Sequence, residues 1–592
     1  MKFSKLSNWL NTISTPIIKE APLFFITWFL AAFEPLRLLH GCIVGGYEQR
    51  VWLFACVYIG IASLFAHIFA SIAHIWRRTW VKVLLYAIII ALFIINIFLQ
   101  LNFGNGLTPQ YVIIIGETNP EESSEFLRTF LVSKKGALVG LVFIIINVVI
   151  ILLEKYRCRI VSFIDSSHIK TVIRCISLPF ILLGICGYTI FISLFKTQSS
   201  KEIDQWGSKY SAICQDAFSR VAYSGWAPVA VKKEIRNAVK NSINASKEKL
   251  STEDNSLNVV LIIGESYIKS HASLYGYYLN TTPLLCKESN SKNLFAFNDV
   301  ISPYNSTSPT IKNLLACNSL GLNEQWMNNP YIPIIFKASG FKVYFWDNQK
   351  NVGDNTWDFT LNFYLHHPEI ESISYTSFNT QVFENDYGLV VNFIQQRFPT
   401  DANNFSMIHL WGQHVDPQSR YPQTKQWMHF TKDSITVKHH WLTSEMRQDI
   451  AEYDNATRYN DWVVSRIIEH YRNTNAVMVY LSDHGEEVYD WRPSKGRNAN
   501  PMNKEVMKYQ YQIPFMIWCS DKYKQRHPEI IQAIEASVNK PMSSDIVCNM
   551  LFHLAGIRTR YYRPQLDILS PQYHCPRRIV QDKYDYDKIM QY

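Results

Sequence analysis

The chain has 592 residues, 48% hydrophobic and 18% charged, with a formal net charge of +9. That length exceeds one ordinary domain, and so high a hydrophobic fraction excludes a disordered chain. The positive balance needs no nucleic-acid partner, because basic residues flanking membrane spans and facing anionic lipid account for it.

In chain order, the first third reads as membrane. Apolar stretches near residues 21–45, 51–76, 80–103, 136–156 and 172–195 are each long enough to cross a hydrocarbon core of roughly 30 Å. The opening residues lack the short apolar core and cleavage site of a signal peptide. Lys2, Lys5 and Lys19 precede the first span. Arg77, Arg78 and Lys82 lie between the second and third, and Lys155, Arg157, Arg159 and Lys170 between the fourth and fifth. Positive charge marks cytoplasmic loops, so everything beyond residue 196 is expected outside. The loop 104–135, with Glu117, Glu121, Glu122 and Glu125, is expected outside as well.

Residues 197–256 form a polar connector. Within it the run 232–250 (KKEIRNAVKNSINASKEKL) predicts an exposed, lysine-rich helix whose charges form a solvated face, suited to lie along the membrane surface. From residue 257 the pattern becomes alternating strand and helix. Apolar runs at 259–263, 341–346, 405–411, 476–481 and 513–518 predict strands, and 452–471 predicts a helix from its three- and four-residue apolar spacing. Such alternation predicts an α/β domain with a mostly parallel sheet. The chain thus divides into a five-helix transmembrane domain (1–196), a connector (197–256) and an outer domain (257–592). Of the cysteines, Cys214, Cys286, Cys317, Cys519, Cys548 and Cys575 fall on the outer side, an even number that fits an oxidising compartment without naming pairs. No Cys-x-x-Cys or Cys/His spacing for a structural zinc site occurs.

Two strand ends carry chemistry. Ile263-Gly264-Glu265-Ser266 follows one apolar run, and Leu481-Ser482-Asp483-His484-Gly485-Glu486 follows another. Open α/β sheets bind ligands beyond the carboxyl ends of their strands, and such oxygen and nitrogen donors suit zinc. Between them, Tyr304-Asn305-Ser306-Thr307-Ser308-Pro309-Thr310 offers four Ser/Thr hydroxyls before a helix expected at 311–317. An ordinary helix cap is the plain reading of those hydroxyls. A hydroxyl activated at a metal for attack on phosphorus is the chemical one.

These residues, with Leu274-Tyr275-Gly276-Tyr277, Thr281-Thr282-Pro283-Leu284, Trp411-Gly412-Gln413-His414, the string from Tyr453 to Asp461, and Ile513-Pro514-Phe515, resemble the bacterial phosphoethanolamine transferases. The resemblance covers nearly the whole chain. It implies an inner-membrane enzyme whose periplasmic catalytic domain has an alkaline-phosphatase/sulfatase-like fold. By it, Glu265, Thr307, Asp483 and His484 match the zinc-binding set, with Thr307 as nucleophile, 42 residues beyond Glu265. His414 matches a histidine near the transferred group, one that helps bind a second zinc or protonates a leaving oxygen. Thr118 and Glu122 match positions that hold the ethanolamine of the donor.

The chain also departs from the lipid A-modifying members. No cysteine closely precedes Thr307, and no histidine lies between His484 and His527. Gly496-Arg497-Asn498 stands in that interval, as in the subgroup acting on the lipopolysaccharide core, and Arg497 offers a phosphate a fixed cation. The implied reaction moves phosphoethanolamine from phosphatidylethanolamine to a core heptose or lipid A through a phospho-threonine, with one zinc ion and an unsettled second. A glycerol-phosphate transferase of the cell envelope and a membrane-bound sulfatase or phosphodiesterase are the alternatives. A sulfatase's Cys/Ser-x-Pro-x-Arg pattern is incomplete here, because no arginine follows Thr307 at that spacing.

Overall fold

Helices α1 (Lys2–Lys19), α2 (Ala21–Gly45), α3 (Gln49–Trp76), α4 (Thr79–Phe103), α5 (Lys134–Lys155), α6 (Arg157–Ser166) and α7 (His168–Leu194) make up the amino-terminal part of the computed structural model. The structure describes residues 2–45, 49–103, 106–108, 111–112, 134–194, 215–252, 254–349, 364–396, 398–399, 401–414, 417–497 and 502–591. Five of these helices, α2, α3, α4, α5 and α7, are long and apolar enough to span a membrane. Their outward faces carry large apolar side chains such as Leu84, Ile88, Leu141, Ile144, Leu182 and Ile190. So much exposed apolar surface is what lipid covers.

Helices α1 and α6 were not foreseen, because neither shows a span-length apolar run. Polar contacts gather where they meet the ends of α4 and α5. Glu20 forms an ion pair with Lys82 at 2.6 Å and accepts from Arg157 at 2.5 Å, and Tyr86 donates to Glu154 at 2.9 Å. These charges come from segments far apart in sequence, all placed by the charge pattern on the cytoplasmic side.

The chain forms two compact units, with the change falling between Lys233 and Glu234. That point lies inside α8 (Ala217–Ser246). The sequence reading of this stretch as a solvated helix is corrected here. Ile235, Ala238, Val239, Ser242 and Ala245 are buried, and Asn241 donates to the Met327 carbonyl at 3.0 Å. One side of the helix is packed and only the other presents Arg236 and Lys240.

The second unit is built on a seven-stranded sheet. Its strands are β1 (Asn258–Gly264), β2 (Leu294–Ala296), β3 (Lys342–Asp347), β4 (Ser377–Phe378), β5 (Asn404–His409), β6 (Ala476–Ser482) and β9 (Phe515–Cys519), with β7 (Glu487–Val488) and β8 (Lys495–Gly496) forming a separate hairpin. The sheet order is β2-β9-β6-β1-β5-β3-β4. All five expected strands are present, and the pairs among β6, β1, β5, β3 and β4 are parallel. Strand β9 runs antiparallel to both β6 and β2. The short edge strands β2 and β4 carry too few residues to show a period.

β1 and β6 are central and apolar on both faces, as strands covered on both sides must be. Two helices matter for the site, α9 (Thr307–Leu314) and α10 (Ser444–Tyr471). On one face of the sheet α10 packs Ala456, Tyr459, Val463, Val464, Ile467, Ile468 and Tyr471 against Val260, Ile262, Met478 and Tyr480. On the other, Phe336 stacks on Phe405 at 3.8 Å.

Candidate metal centre and nucleophile

Parallel pairing of β1 with β6 puts Gly264 opposite Ser482, so Glu265 and Asp483 emerge at the same end of adjacent strands. Glu265, Asp483 and His484 are fully buried, and one ligand atom from each lies within 4.8 Å of the others. Among the described residues they form the one group of three such side chains placed to hold a metal.

The loops hold these groups closely. Ser266 adopts a left-handed backbone at φ 53°, a strained conformation for a serine that recurs at functional sites. There its N–H donates to Asp483 Oδ1 at 3.1 Å and its hydroxyl to Glu265 Oε1 at 2.6 Å. Tyr453 on α10 donates to the Ser266 carbonyl at 2.6 Å. Gln349 donates to Glu265 Oε2 at 3.1 Å. Gly412, at φ 51°, packs on the backbone of Glu265, where an added Cβ would meet its N and O at 2.7 Å.

His484 is prepared as a ligand. Its Nδ1–H donates to the Gly485 carbonyl at 2.9 Å, which leaves the lone pair on Nε2. Arg497 Nη1, which can only donate, reaches that Nε2 at 2.7 Å. Burial and then Arg497 push His484 down to about 3, so the imidazole is neutral. Burial and the neighbouring Glu265 push Asp483 up. Burial also opposes charge on Glu265, but His484, His414 and Arg497 outweigh it and hold that carboxyl low. With His484 neutral, Arg497 is the lasting cation.

Among the described residues, the buried Asp483 Oδ2 has no hydrogen-bond partner. Two carboxylates, one with an oxygen left unpartnered among the described residues, and a neutral imidazole fit a divalent cation, and the mixed N/O donor set fits zinc.

Thr307 is the first residue of α9, four residues before the helix start expected from sequence. Its hydroxyl does not cap the helix. Instead it donates to Glu265 Oε2 at 2.9 Å and lies 3.4 Å from His484 Nε2. Thr310 turns elsewhere, to Ser302 Oγ at 3.2 Å and the Tyr304 carbonyl at 3.4 Å.

The structure therefore brings Glu265, Thr307, Asp483, His484 and Arg497 together. His414 follows Gln413, whose N–H donates to the Glu265 carbonyl at 3.0 Å. Burial holds the His414 imidazole below its usual basicity, against the pull of Glu265. Thr118 and Glu122 lie outside the described residues.

Sequence reading missed the supports. Asn305 donates to Gln510 at 2.7 Å, and Gln510 donates to Glu487 at 2.7 Å. His271 lies between Asp454 at 2.7 Å and Asp490 at 2.8 Å, while Tyr277 donates to Asp454 at 3.0 Å. Asp461 accepts the Leu284 and Leu285 N–H groups. The Leu274–Tyr277, Thr281–Leu284 and Tyr453–Asp461 strings are thus largely one hydrogen-bonded frame behind the site. The family resemblance had marked these strings, but not the hydrogen bonds that join them.

Comparison with known proteins adds the following. The family model described as Sulfatase matches residues 257–557. Phosphoethanolamine transferase EptC of Escherichia coli (strain K12) is 24% identical over 514 residues, covering 83% of this chain and 82% of the relative. Phosphoethanolamine transferase CptA of Salmonella typhimurium is 25% identical over 506 residues, with the same coverage. Among solved structures, the C-terminal periplasmic domain of EcEptC from Escherichia coli is 26% identical, with a TM-score of 0.50, covering 57% of this chain and 96% of that one.

Proposed function

Because the chain belongs to the sulfatase family, we propose that it works that family's site as a phosphoethanolamine transferase of the cell envelope. It takes phosphoethanolamine from phosphatidylethanolamine and passes it to lipopolysaccharide, at a core heptose or lipid A. The observation that carries this is the Thr307 hydroxyl, turned from capping its own helix and bonded to Glu265 at 2.9 Å within the buried carboxylate–imidazole group. The likeness to EptC and CptA along most of the chain, spans included, supports a transferase over a soluble hydrolase.

Thr307 Oγ1 bonds to phosphorus as the bond from phosphorus to the diacylglycerol oxygen breaks. Glu265 Oε2 accepts the hydroxyl's hydrogen bond and orients it, and the proton that Thr307 loses passes to the departing diacylglycerol oxygen, which leaves as the alcohol. In the second step an acceptor hydroxyl displaces Thr307 from phosphorus. His414, neutral at pH 7 because burial lowers it, is suited to accept that hydroxyl's proton, and one proton returns to the leaving Thr307 oxygen. Arg497, held 2.7 Å from His484 Nε2, is placed to stabilise charge on the phosphoryl oxygens. Glu265, Asp483 and His484, with Thr307, would hold zinc, which when bound supplies Lewis acidity toward the hydroxyl and the phosphoryl group. Thr118 and Glu122 are the proposed contacts for the ethanolamine ammonium.

Both substrates are lipids, which accounts for a catalytic unit joined to five spans. The proposed place is the bacterial inner membrane, with the catalytic unit in the periplasm. Thr307→Ala should remove every phosphoethanolamine-bearing lipopolysaccharide species from mass spectra of extracted material, while Thr307→Ser retains a fraction. An unchanged spectrum in Thr307→Ala would overturn the assignment.

A further inference from the structure

The carboxyl ends of β1, β5 and β3 lie side by side, with Ile263 paired to His409 and His409 to Asp347. The chain leaving β3 is held there residue by residue. Asp347 accepts the Gln349 N–H at 2.7 Å and lies 2.9 Å from His409 Nδ1. The Asn348 N–H donates to the His409 carbonyl at 2.9 Å, and its buried side-chain amide donates to Asp386 at 3.0 Å. Asp386 in turn accepts the Trp411 and Gly412 N–H groups at 2.8 and 2.9 Å.

This frame delivers the Gln349 side chain to the site. Its Nε2 donates to Glu265 Oε2 at 3.1 Å and to the Leu410 carbonyl at 2.7 Å. Both partners only accept, so the amide must present its NH2 end to them, and both of its hydrogens are taken.

The two oxygens of Glu265 have separate surroundings. Oε1 accepts the Ser266 hydroxyl at 2.6 Å and lies 3.3 Å from His484 Nε2. Oε2 accepts from Gln349 and, at 2.9 Å, from the Thr307 hydroxyl. The last torsion of a glutamate is soft, so a carboxylate turns readily unless donors hold it. A donor on each oxygen opposes that turn and keeps a lone pair of Oε2 facing Thr307. Without the amide, Oε2 would have only the nucleophile itself to fix it.

We propose that Gln349 is a positioning residue for the nucleophile: its amide fixes the plane of Glu265, and Oε2 then aims the Thr307 hydroxyl. This rests on the transferase reading above and assigns to that reaction a residue that acts through Glu265.

Gln349→Met tests it, because methionine nearly matches glutamine in length and volume but has no donor. The assay is the full-length enzyme in detergent, with fluorescent phosphatidylethanolamine as donor and lipopolysaccharide as acceptor. The kcat for release of labelled diacylglycerol should fall about tenfold to a hundredfold, with the donor KM unmoved. Bound zinc and the melting temperature should stay near those of the wild type. A crystal structure of the variant should show the Glu265 carboxylate turned, with Oε2 out of hydrogen-bond reach of Thr307. If Gln349→Met does not fold, Gln349→Asn, whose amide is one methylene short of Glu265, carries the same measurements. An unchanged kcat or an unturned carboxylate would overturn the inference. So would a raised donor KM with kcat intact, which would make Gln349 a substrate contact. Zinc lost in step with activity would overturn it too, by making the amide a support of the metal. A wild-type enzyme that never releases labelled diacylglycerol would overturn the transferase reading first, an outcome visible before any variant is made.

Discussion

His271 shows how one side chain can tie down a site that it does not touch. It is buried between Asp454 and Asp490, with Tyr277 stacked on its face and Tyr453 against its edge at 5.3 Å. Burial alone would lower its basicity, but Asp490 and Asp454 outweigh burial and raise it to about 10. A histidine raised in the folded state contributes stability that is complete below its unfolded value of ~6.5. That stability is lost as pH climbs through about 10. The linkage is on the order of 3–5 kcal/mol. Part of it is offset by Asp454, whose carboxyl burial holds up. His271→Gln should therefore lower the melting temperature by several degrees at pH 6 and by much less above pH 10. Melting curves at both pH values check this, and equal losses at both would show that the imidazolium charge is not what the network uses.

At the scale of elements, the site depends on a close crossing of two loops. The Gly485 N–H donates to the Gln510 carbonyl at 3.0 Å, and the Gly485 carbonyl orients His484. An added Cβ at Gly485 would lie 2.1 Å from the Tyr509 carbonyl oxygen and 3.1 Å from its carbon. Those are backbone atoms and cannot rotate away. Gly485→Ala is expected to cost about 1–3 kcal/mol of stability as the loops part. The larger effect falls on His484, whose Nε2 moves with the loop, so transfer should drop by about a hundredfold or more. Comparing the melting temperature and the transfer rate of this one variant checks both expectations.

For the whole molecule, function depends on which side of the membrane each unit occupies. The segment between the fourth and fifth spans carries the exposed Cys158, and the catalytic unit carries the exposed Glu535 on its surface. With Cys158 as the sole cysteine, a membrane-impermeant maleimide should leave intact spheroplasts unlabelled and label the protein once the membrane is opened. With Glu535→Cys as the sole cysteine, labelling should be complete from outside. The reverse pattern would turn the protein over and remove the catalytic unit from the periplasm.

Much of this protein is legible in its residues, and the limits have physical causes. Membrane spans and central strands announce themselves as local apolar runs, because burial is required of every residue along them. The two strand ends were readable for the same reason, since a polar residue directly after such a run stands at the rim of the sheet. The packed face of α8 escaped notice because Ile235, Ala238 and Val239 are interspersed with Lys and Arg. The His271 frame escaped notice because its partners lie 183 and 219 residues away. By itself, the sequence pointed to five apolar spans, to an α/β domain beyond them and to Glu265, Asp483 and His484 as candidate donor groups. The resemblance already singled out Thr307, but only the tertiary structure brings its hydroxyl to Glu265 while Thr310 turns to Ser302, because that contact depends on where one helix begins against a strand 42 residues earlier.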